Sequence, residues 1–200
     1  MSKQINVALV GNPNTGKTSV FNALTGLNQK IGNYPGVTVE KKEAVIKLTR
    51  NLKAHIFDLP GTYSLNANSI DENVVVELLL NRKDKDYPDV VVVISDIENL
   101  KRNLLLFTQI KDLGIPTILA INMADRMSRK GIELDIELLE KRLLTKVNLM
   151  SAKKQIGFED LKQSIADYQN ISTTPCLNAS EIDSPYFDSL RKIYPDQDLY

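Results

Sequence analysis

Cysteine, tryptophan and histidine are scarce in this sequence, which contains one, none and one of them among 200 residues. The single cysteine, Cys176, excludes an intramolecular disulfide and a zinc site made of thiolates, and it is typical of a reducing compartment. Charge of one sign is not in excess, since lysine plus arginine and aspartate plus glutamate each number 25. Without a basic surplus to neutralise phosphates, no nucleic-acid partner is expected.

Long hydrophobic runs are also absent. The apolar stretch at residues 90–94 is among the longest, and it is far shorter than the roughly 20 residues that cross a bilayer. The amino terminus shows no apolar signal-peptide stretch after a basic start. Glycine and proline number only 9 and 8, and 42% of the residues are apolar. These counts exclude collagen-like and wholly disordered chains and predict a soluble, cytosolic globular domain.

Strand-like and helix-like segments alternate along the chain. Short β-branched runs predict strands at residues 5–10, 40–50, 54–59, 89–95, 117–122 and 147–150. Apolar residues at helical spacing predict helices at residues 17–24, 70–80, 99–113, 137–144 and 158–168. Residues 27–38, with their glycines, proline and asparagines, are predicted to form a long loop. The alternation predicts an α/β fold with a mostly parallel six-stranded sheet, one strand antiparallel, flanked by helices.

The alternating pattern ends near residue 169. Residues 171–185 are rich in serine, threonine, proline and asparagine, and a final helix is predicted at residues 186–194. We therefore expect one domain over residues 1–169, followed by a linker and the start of a further helical segment over residues 170–200. The natural polypeptide is expected to continue beyond this end.

A phosphate-binding motif provides the strongest functional signal. Residues 11–18 match the pattern Gly-x4-Gly-Lys-[Ser/Thr] between a predicted strand and a predicted helix, the context that this motif requires. Backbone N–H groups of such a loop point inward, Lys17 supplies a charge for the β- and γ-phosphates, and the Thr18 hydroxyl ligates Mg2+. A plain glycine-rich helix start is disfavoured because all four constrained positions match. The predicted phosphate-binding residues are Gly11, Asn12, Pro13, Asn14, Thr15, Gly16, Lys17, Thr18 and Ser19.

A second candidate site is the segment Asp-Leu-Pro-Gly at residues 58–61, which ends a predicted strand. This position places the Asp58 carboxylate at the carboxyl edge of the sheet, where ligands bind in open α/β folds. Asp58 is predicted to hold Mg2+, and the Gly61 N–H is predicted to turn toward a γ-phosphate. The same tetrapeptide is common in ordinary turns, and its position after a phosphate loop favours the functional interpretation.

A third candidate site, Asn-Met-Ala-Asp at residues 122–125, follows a predicted strand. Asp125 can accept hydrogen bonds from the N1–H and the 2-amino group of guanine, a donor pair that adenine lacks. The alternative for Asp125 is a helix N-cap. Ser151, Ala152 and Lys153 follow the last predicted strand, where their backbone N–H groups could close on the base. That tripeptide is a weak signal by itself.

These motifs, in this order, resemble a Ras-like P-loop GTPase domain. Residues 32–40 (Gly-Asn-Tyr-Pro-Gly-Val-Thr-Val-Glu), 58–65 (Asp-Leu-Pro-Gly-Thr-Tyr-Ser-Leu) and 99–104 (Asn-Leu-Lys-Arg-Asn-Leu) narrow the resemblance. Together with the phosphate loop and residues 122–125, they resemble the cytoplasmic N-terminal GTPase domain of the FeoB family of bacterial ferrous-iron transport proteins. The resemblance covers about residues 3–169.

The family resemblance implies a partner and a location as well as an activity. It implies Mg2+-dependent hydrolysis of GTP to GDP and phosphate, which regulates Fe2+ uptake by a membrane permease portion of the same parent polypeptide. The parent would lie in the bacterial inner membrane with this domain on its cytoplasmic face, and small accessory iron-transport proteins would be further partners. A helical regulatory domain would follow the GTPase fold.

The resemblance also implies roles for individual residues. Thr38, after Gly36 and Val37, would be the switch threonine that joins Thr18 and Asp58 on Mg2+. Asn14 would help hold a K+ ion that offsets transition-state charge, with a loop-stabilising Asx turn as the alternative. The implied catalytic residues are Lys17, Thr38, Gly61 and Asn14.

Two positions depart from the general GTPase pattern. Met123 stands where many GTPases have lysine, so the apolar packing on the guanine plane differs. Thr62 stands where Ras-like enzymes place a water-orienting glutamine, so slow intrinsic hydrolysis is expected. The second function considered is a soluble potassium-activated GTPase of ribosome assembly or tRNA modification, which shares the Asn-Pro-Asn phosphate loop. An adenine-nucleotide enzyme is disfavoured because Asn122 and Asp125 indicate guanine.

Overall fold

A computed structural model describes residues 3–26, 29–177 and 183–193. The strands are β1 (Lys3–Gly11), β2 (Lys30–Asn33), β3 (Glu40–Lys47), β4 (Leu52–Asp58), β5 (Val90–Asp96), β6 (Thr117–Asn122) and β7 (Val147–Leu149). The helices are α1 (Lys17–Thr25), α2 (Ile70–Leu80), α3 (Leu100–Asp112), α4 (Met127–Lys130), α5 (Ile136–Leu143), α6 (Phe158–Ala166) and α7 (Ser184–Ile193). Within the described residues, no helix has the length and apolar character needed to span a bilayer.

The strands form one seven-stranded sheet in the order β2-β3-β4-β1-β5-β6-β7. Strands β4, β1, β5, β6 and β7 are parallel, and β3 runs antiparallel to both of its neighbours. The prediction of a mostly parallel sheet with one reversed strand and flanking helices is confirmed. The parallel order matters for function because the loops that follow β1, β4, β6 and β7 meet at one edge of the sheet.

The predicted number of six strands is wrong, because the segment predicted as a loop over residues 27–38 contains strand β2. All four residues of β2 are exposed, and β2 pairs only with β3, at the edge of the sheet. An exposed edge strand buries no face, so it carries no alternation of apolar and polar residues that sequence analysis can detect. Residues 27 and 28 of the predicted loop lie outside the described residues.

The predicted helices are found within two residues of their observed ends, and a few details differ. Helix α4 is not predicted, since four residues are too short to show a helical period. The helix predicted over residues 158–168 ends at Ala166, and Tyr168–Asn170 form a separate 3-10 turn. The strand predicted over residues 40–50 ends at Lys47. Residue 194, the predicted end of the last helix, lies outside the described residues.

Two apolar layers cover the two faces of the sheet. Alternate residues of β1 point to opposite layers: Val7 packs with α1 and α6, and Ala8 packs with α2 and α3. Every residue of β5 is buried, as expected for a strand covered on both faces. The burial fixes the helices against the sheet and leaves the carboxyl edge of the strands to hold the polar loops.

Candidate functional site

The phosphate loop is a tight turn between β1 and α1. Asn14 and Gly16 have φ angles of 69° and 81°, in the left-handed region that glycine and asparagine tolerate best. A Cβ atom on Gly11 would lie 2.5 Å from the carbonyl oxygen of Ile94, so only glycine fits there. The Thr15 hydroxyl donates a 2.9 Å hydrogen bond to the Asn12 carbonyl and closes the turn. Glycine is therefore required at Gly11 by the close approach of the neighbouring strand and is favoured at Gly16 by the left-handed backbone.

The predicted phosphate and magnesium residues meet at a buried carboxylate. Asp58 is only 6% exposed, and its two oxygens accept hydrogen bonds from the Lys17 ammonium and the Thr18 hydroxyl, the latter at 2.9 Å. A buried carboxylate is stable only with such partners. The sequence predicts Lys17, Thr18 and Asp58 at the site. The structure brings Lys17 and Thr18 into direct contact with Asp58, although about 40 residues separate them from it along the chain.

These groups suit Mg2+ in its usual binding mode. Thr18 and Asp58 offer hard oxygen ligands, and Mg2+ usually binds one or two protein oxygens together with water and phosphate oxygens. Among the described residues, no group of three or more His, Cys, Asp or Glu side chains could hold a metal by itself. The arrangement therefore fits a magnesium ion shared with a phosphate and does not fit a cage made only of protein ligands.

Gly61 lies directly beside the phosphate loop. A Cβ atom on Gly61 would come within 3.2 Å of Pro13, and the Thr62 N–H donates to the Gly11 carbonyl at 3.2 Å. The buried Thr62 hydroxyl donates to the Ser64 carbonyl at 2.7 Å and lies 3.3 Å from a Glu72 carboxylate oxygen. Thr62 is therefore bonded within the protein, and its hydroxyl does not take the place of a glutamine amide.

Thr38, the predicted switch threonine, does not contact the other two predicted magnesium ligands, Thr18 and Asp58, in this conformation. Gly36, with φ 77°, lies in a turn in which the Tyr34 N–H donates to the Val39 carbonyl at 3.0 Å. The Val37 N–H donates to the Tyr34 carbonyl at 3.3 Å. Thr38 is exposed, and within the described residues no hydrogen bond links it to Thr18 or Asp58.

Asn122 links the phosphate loop to the loop after β7. Its side-chain amide donates to the Thr15 carbonyl, and its oxygen accepts from the Ala152 N–H, both at 3.0 Å. Asn122 is 2% exposed, and a Cβ atom on Gly16 would lie 2.5 Å from its amide nitrogen. The sequence predicts Asn122 at the base site, but it gives no sign that both ends of this amide bond to the protein backbone.

Asp125 lies in a cleft of about 990 Å³ next to the phosphate loop. The Ser151 hydroxyl donates to the Asp125 carboxylate at 2.6 Å. This hydrogen bond is the main reason that the pKa of Asp125 is lowered, with smaller contributions from Lys153 and Arg126. The carboxylate is therefore kept ionised and ready to accept hydrogen bonds.

Several residues that line the cleft lie outside the sequence motifs. Besides the predicted Ser19, Met123, Ala152 and Lys153, it is lined by Asn22, Ala23, Gly26, Arg126, Arg129, Lys154 and Gln155. Asn22, Ala23 and Gly26, the residue that caps α1, follow the spacing i+3, i+4 and i+7 from Ser19, so these residues share one helix face. That spacing is a signal that sequence analysis could have used, whereas nothing in the sequence pointed to the two arginines.

The family model FeoB_N, described as ferrous iron transport protein B, matches residues 5–165. The chain belongs to this family. An Fe(2+) transporter FeoB from Leptospira biflexa is 47% identical over 160 residues, which are 80% of this chain and 23% of that relative. This chain thus spans about a quarter of the length of that FeoB protein.

Solved FeoB structures have the same fold. The G domain of the T. maritima FeoB iron transporter is 39% identical, with a TM-score of 0.76, and the match covers 84% of this chain and 99% of that one. A mutant S. thermophilus NFeoB bound to GDP is 34% identical, with a TM-score of 0.81, over 96% of this chain and 71% of that one. The predicted P-loop GTPase fold and the predicted membership of the FeoB family are confirmed.

Proposed function

We propose that this chain is the GTP-binding domain of a ferrous-iron transporter and slowly hydrolyses GTP to GDP and phosphate with Mg2+. The observation that carries the proposal is the contact of Lys17 and Thr18, which stand between the cleft-lining residues Gly16 and Ser19, with the buried Asp58 carboxylate. The relation to FeoB supports it, since a homologous NFeoB was solved with GDP bound. This domain comprises residues 1–169, and residues 170–200 lead into a helical regulatory segment.

Guanine is selected in the cleft by Asp125. Its ionised carboxylate accepts hydrogen bonds from the guanine N1–H and 2-amino group, and the Ser151 hydroxyl holds it in position. Asn122 does not need to contact the base for this selection. Both ends of its amide are bonded to the backbone, so it holds the phosphate loop and the Ala152 backbone on either side of the cleft.

The phosphates bind at the other end of the cleft. Lys17 leaves Asp58 for the β- and γ-phosphates, while Thr18 and Asp58 hold Mg2+, which when bound neutralises charge that develops on the phosphate oxygens. Thr38 moves in with its loop to complete the site, and the Gly61 N–H turns toward the γ-phosphate. Water then attacks the γ-phosphorus, and the bond to the β-phosphate oxygen breaks. Without a glutamine in place of Thr62 to orient the water, this step is slow.

A K+ ion held by Asn14 would supply the positive charge that an arginine finger provides elsewhere. Asn14 fits this role, because its side chain is exposed in the phosphate loop and no hydrogen bond within the described residues engages its amide. In the parent protein, the GTP and GDP states control Fe2+ uptake by a permease portion in the bacterial inner membrane, with this domain at the cytoplasmic face. Small accessory iron-transport proteins are further partners.

The hydrolysis proposal is tested by removing the Lys17 charge. Lys17→Ala should abolish Mg2+-dependent phosphate release from GTP while leaving the circular dichroism spectrum unchanged. Lys101→Ala is the matched control, since Lys101 is exposed on α3 and, among the described residues, no hydrogen bond or ion pair joins its side chain to the phosphate loop. Turnover by Lys17→Ala equal to that of Lys101→Ala would refute the assignment.

The base assignment is tested by exchanging the carboxylate of Asp125 for an amide. Asp125→Asn should lose affinity for GDP and gain affinity for the xanthine nucleotide, because the amide can donate where the carboxylate only accepts. One matched pair of polar contacts contributes about 1–3 kcal/mol, or roughly 5- to 150-fold in affinity. Unchanged GDP affinity in a titration would show that Asp125 does not read the base.

A further inference from the structure

Helix α3 contacts the segment that follows the Asp58–Gly61 motif. We call residues 62–65 the switch segment. The Arg102 guanidinium lies 4.4 Å from the centre of the Tyr63 ring, within the range of a cation–π interaction. About two turns further along α3, the Gln109 side-chain oxygen accepts a 2.9 Å hydrogen bond from the Leu65 N–H. The switch segment is therefore attached to α3 at two points.

The carboxyl end of α3 holds a different part of the chain, residues 172–177, which we call the exit segment. Lys111 is fully buried, and its ammonium donates to the carbonyls of Leu144 at 3.0 Å and Ser172 at 2.7 Å. Burial lowers the pKa of Lys111. A buried ammonium without hydrogen bonds raises the free energy of the folded state, so breaking its bonds to these two carbonyls is unfavourable. Leu144 also has a left-handed φ of 48°.

Asp112 adds a second attachment for the exit segment. One of its carboxylate oxygens accepts from the backbone N–H groups of Cys176 at 2.6 Å and Leu177 at 3.2 Å. Hydrogen bonds to a charged acceptor are stronger than neutral ones. Lys111 and Asp112 are neighbours in the sequence, so the end of a single helix fixes the exit segment at both of its ends.

Between these two sets of contacts, α3 is a rigid body. Leu106, Phe107 and Ile110 are fully buried against the sheet, so the helix moves as a unit if it moves at all. A shift at the Tyr63 and Leu65 contacts therefore reaches Lys111 and Asp112 without unfolding the helix.

We propose that α3 couples the nucleotide site to the exit segment, so that the γ-phosphate changes how tightly residues 172–177 are held. The inference rests on the proposed function, since it needs a γ-phosphate that moves Gly61 and the switch segment after it. Binding linkage is reciprocal, so restraint of the exit segment changes the ratio of GDP and GTP affinities by the same factor. Whatever the parent protein attaches after residue 177 is thereby linked to the nucleotide state through one helix.

Cys176 provides a reporter that needs no engineering. It is the single cysteine of the chain, it is exposed, and its own backbone N–H is bound by Asp112. The 200-residue chain is treated with an aromatic disulfide reagent (DTNB) without nucleotide, with Mg2+ and GDP, and with Mg2+ and a non-hydrolysable GTP analogue. The rates with the two nucleotides should differ by about fivefold or more, the lower end of typical coupling between sites.

Variants at both ends of α3 test the route. The double variant Arg102→Ala, Gln109→Ala should bind both nucleotides but show the same Cys176 rate with each. Asp112→Ala should raise the rate in all states and remove the difference, whereas Asp112→Asn, which keeps an oxygen acceptor, should preserve it. Lys101→Ala is the control on the exposed side of α3 and should behave like the unaltered chain.

Separate outcomes distinguish the inference from the proposed function. Both nucleotides are first titrated to saturation. If neither binds, the proposed function fails and the coupling fails with it. If both bind and the Cys176 rates are equal, or if the rate difference survives in the double variant, the coupling through α3 is refuted and the GTP-binding function stands.

Discussion

Replacing Asn122 by alanine tests the central feature of the site, because this side chain joins the loop of Thr15 to the loop of Ala152, which lie 107 and 30 residues from it along the chain. The change removes the 3.0 Å bonds to the Thr15 carbonyl and the Ala152 N–H. Thr15 and Ala152 are 2% and 8% exposed, so both backbone groups lose their partner in a buried environment.

The magnitude follows from those two groups. A buried backbone group left without a partner costs about 1–3 kcal/mol. Water in the neighbouring cleft offsets part of this cost, so we expect a loss of about 2–4 kcal/mol in the free energy of unfolding. For a chain of this size, that loss lowers the Tm by about 4–16 °C. If ordering the binding loops around GDP costs about 2 kcal/mol more in the variant, GDP binding is weakened roughly 30-fold.

The assay is thermal unfolding of the nucleotide-free chain, together with a GDP titration, for Asn122→Ala and two further variants. Asn122→Asp keeps the oxygen that accepts from Ala152 but places a second oxygen against the Thr15 carbonyl, so it should be at least as unstable. Asn73→Ala on helix α2 is the control, since alanine is a good helix former. If both Asn122 variants match Asn73→Ala in Tm and in GDP affinity, Asn122 does not hold the two loops together and the assigned role is refuted.

Two further predictions concern the ends of the cleft. Ser151→Ala removes the hydrogen bond that lowers the pKa of Asp125, so the carboxylate is protonated at a higher pH. Because the ionised form accepts from guanine, GDP affinity should be lost as the pH falls through the pKa of Asp125, and this loss should begin at higher pH in Ser151→Ala. GDP titrations from neutral pH downward measure the shift, and superimposable profiles would contradict it. At the phosphate end, GTP turnover should be faster in KCl than in NaCl at equal ionic strength, and Asn14→Ala should lose this difference but keep GDP binding. Equal rates in both salts for the unaltered chain would leave Asn14 with only a loop-stabilising role.

Much of the site could be predicted from the sequence because its chemistry is encoded in short, local motifs. Gly11, Gly16 and Lys17 belong to one strand–turn–helix connection, in which Gly16 has a left-handed φ and Gly11 has no room for a Cβ atom. Asp58 ends an apolar strand and Asp125 lies three residues after the end of another, and parallel strands bring their carboxyl ends to a common edge. Periodicity predicted the helices and buried strands for the same reason, since each pattern is local.

Other features were decided only by the tertiary structure, because they depend on contacts between distant segments. Strand β2 forms by backbone pairing with β3 and has no apolar pattern. The role of Asn122 depends on partners 107 and 30 residues away, and the burial of Lys111 depends on the path of the chain past residue 172. An asparagine or a lysine looks the same in the sequence whether it faces solvent or bonds to backbone groups of distant segments. Only the packing of the strands and helices determines which of these environments the side chain meets.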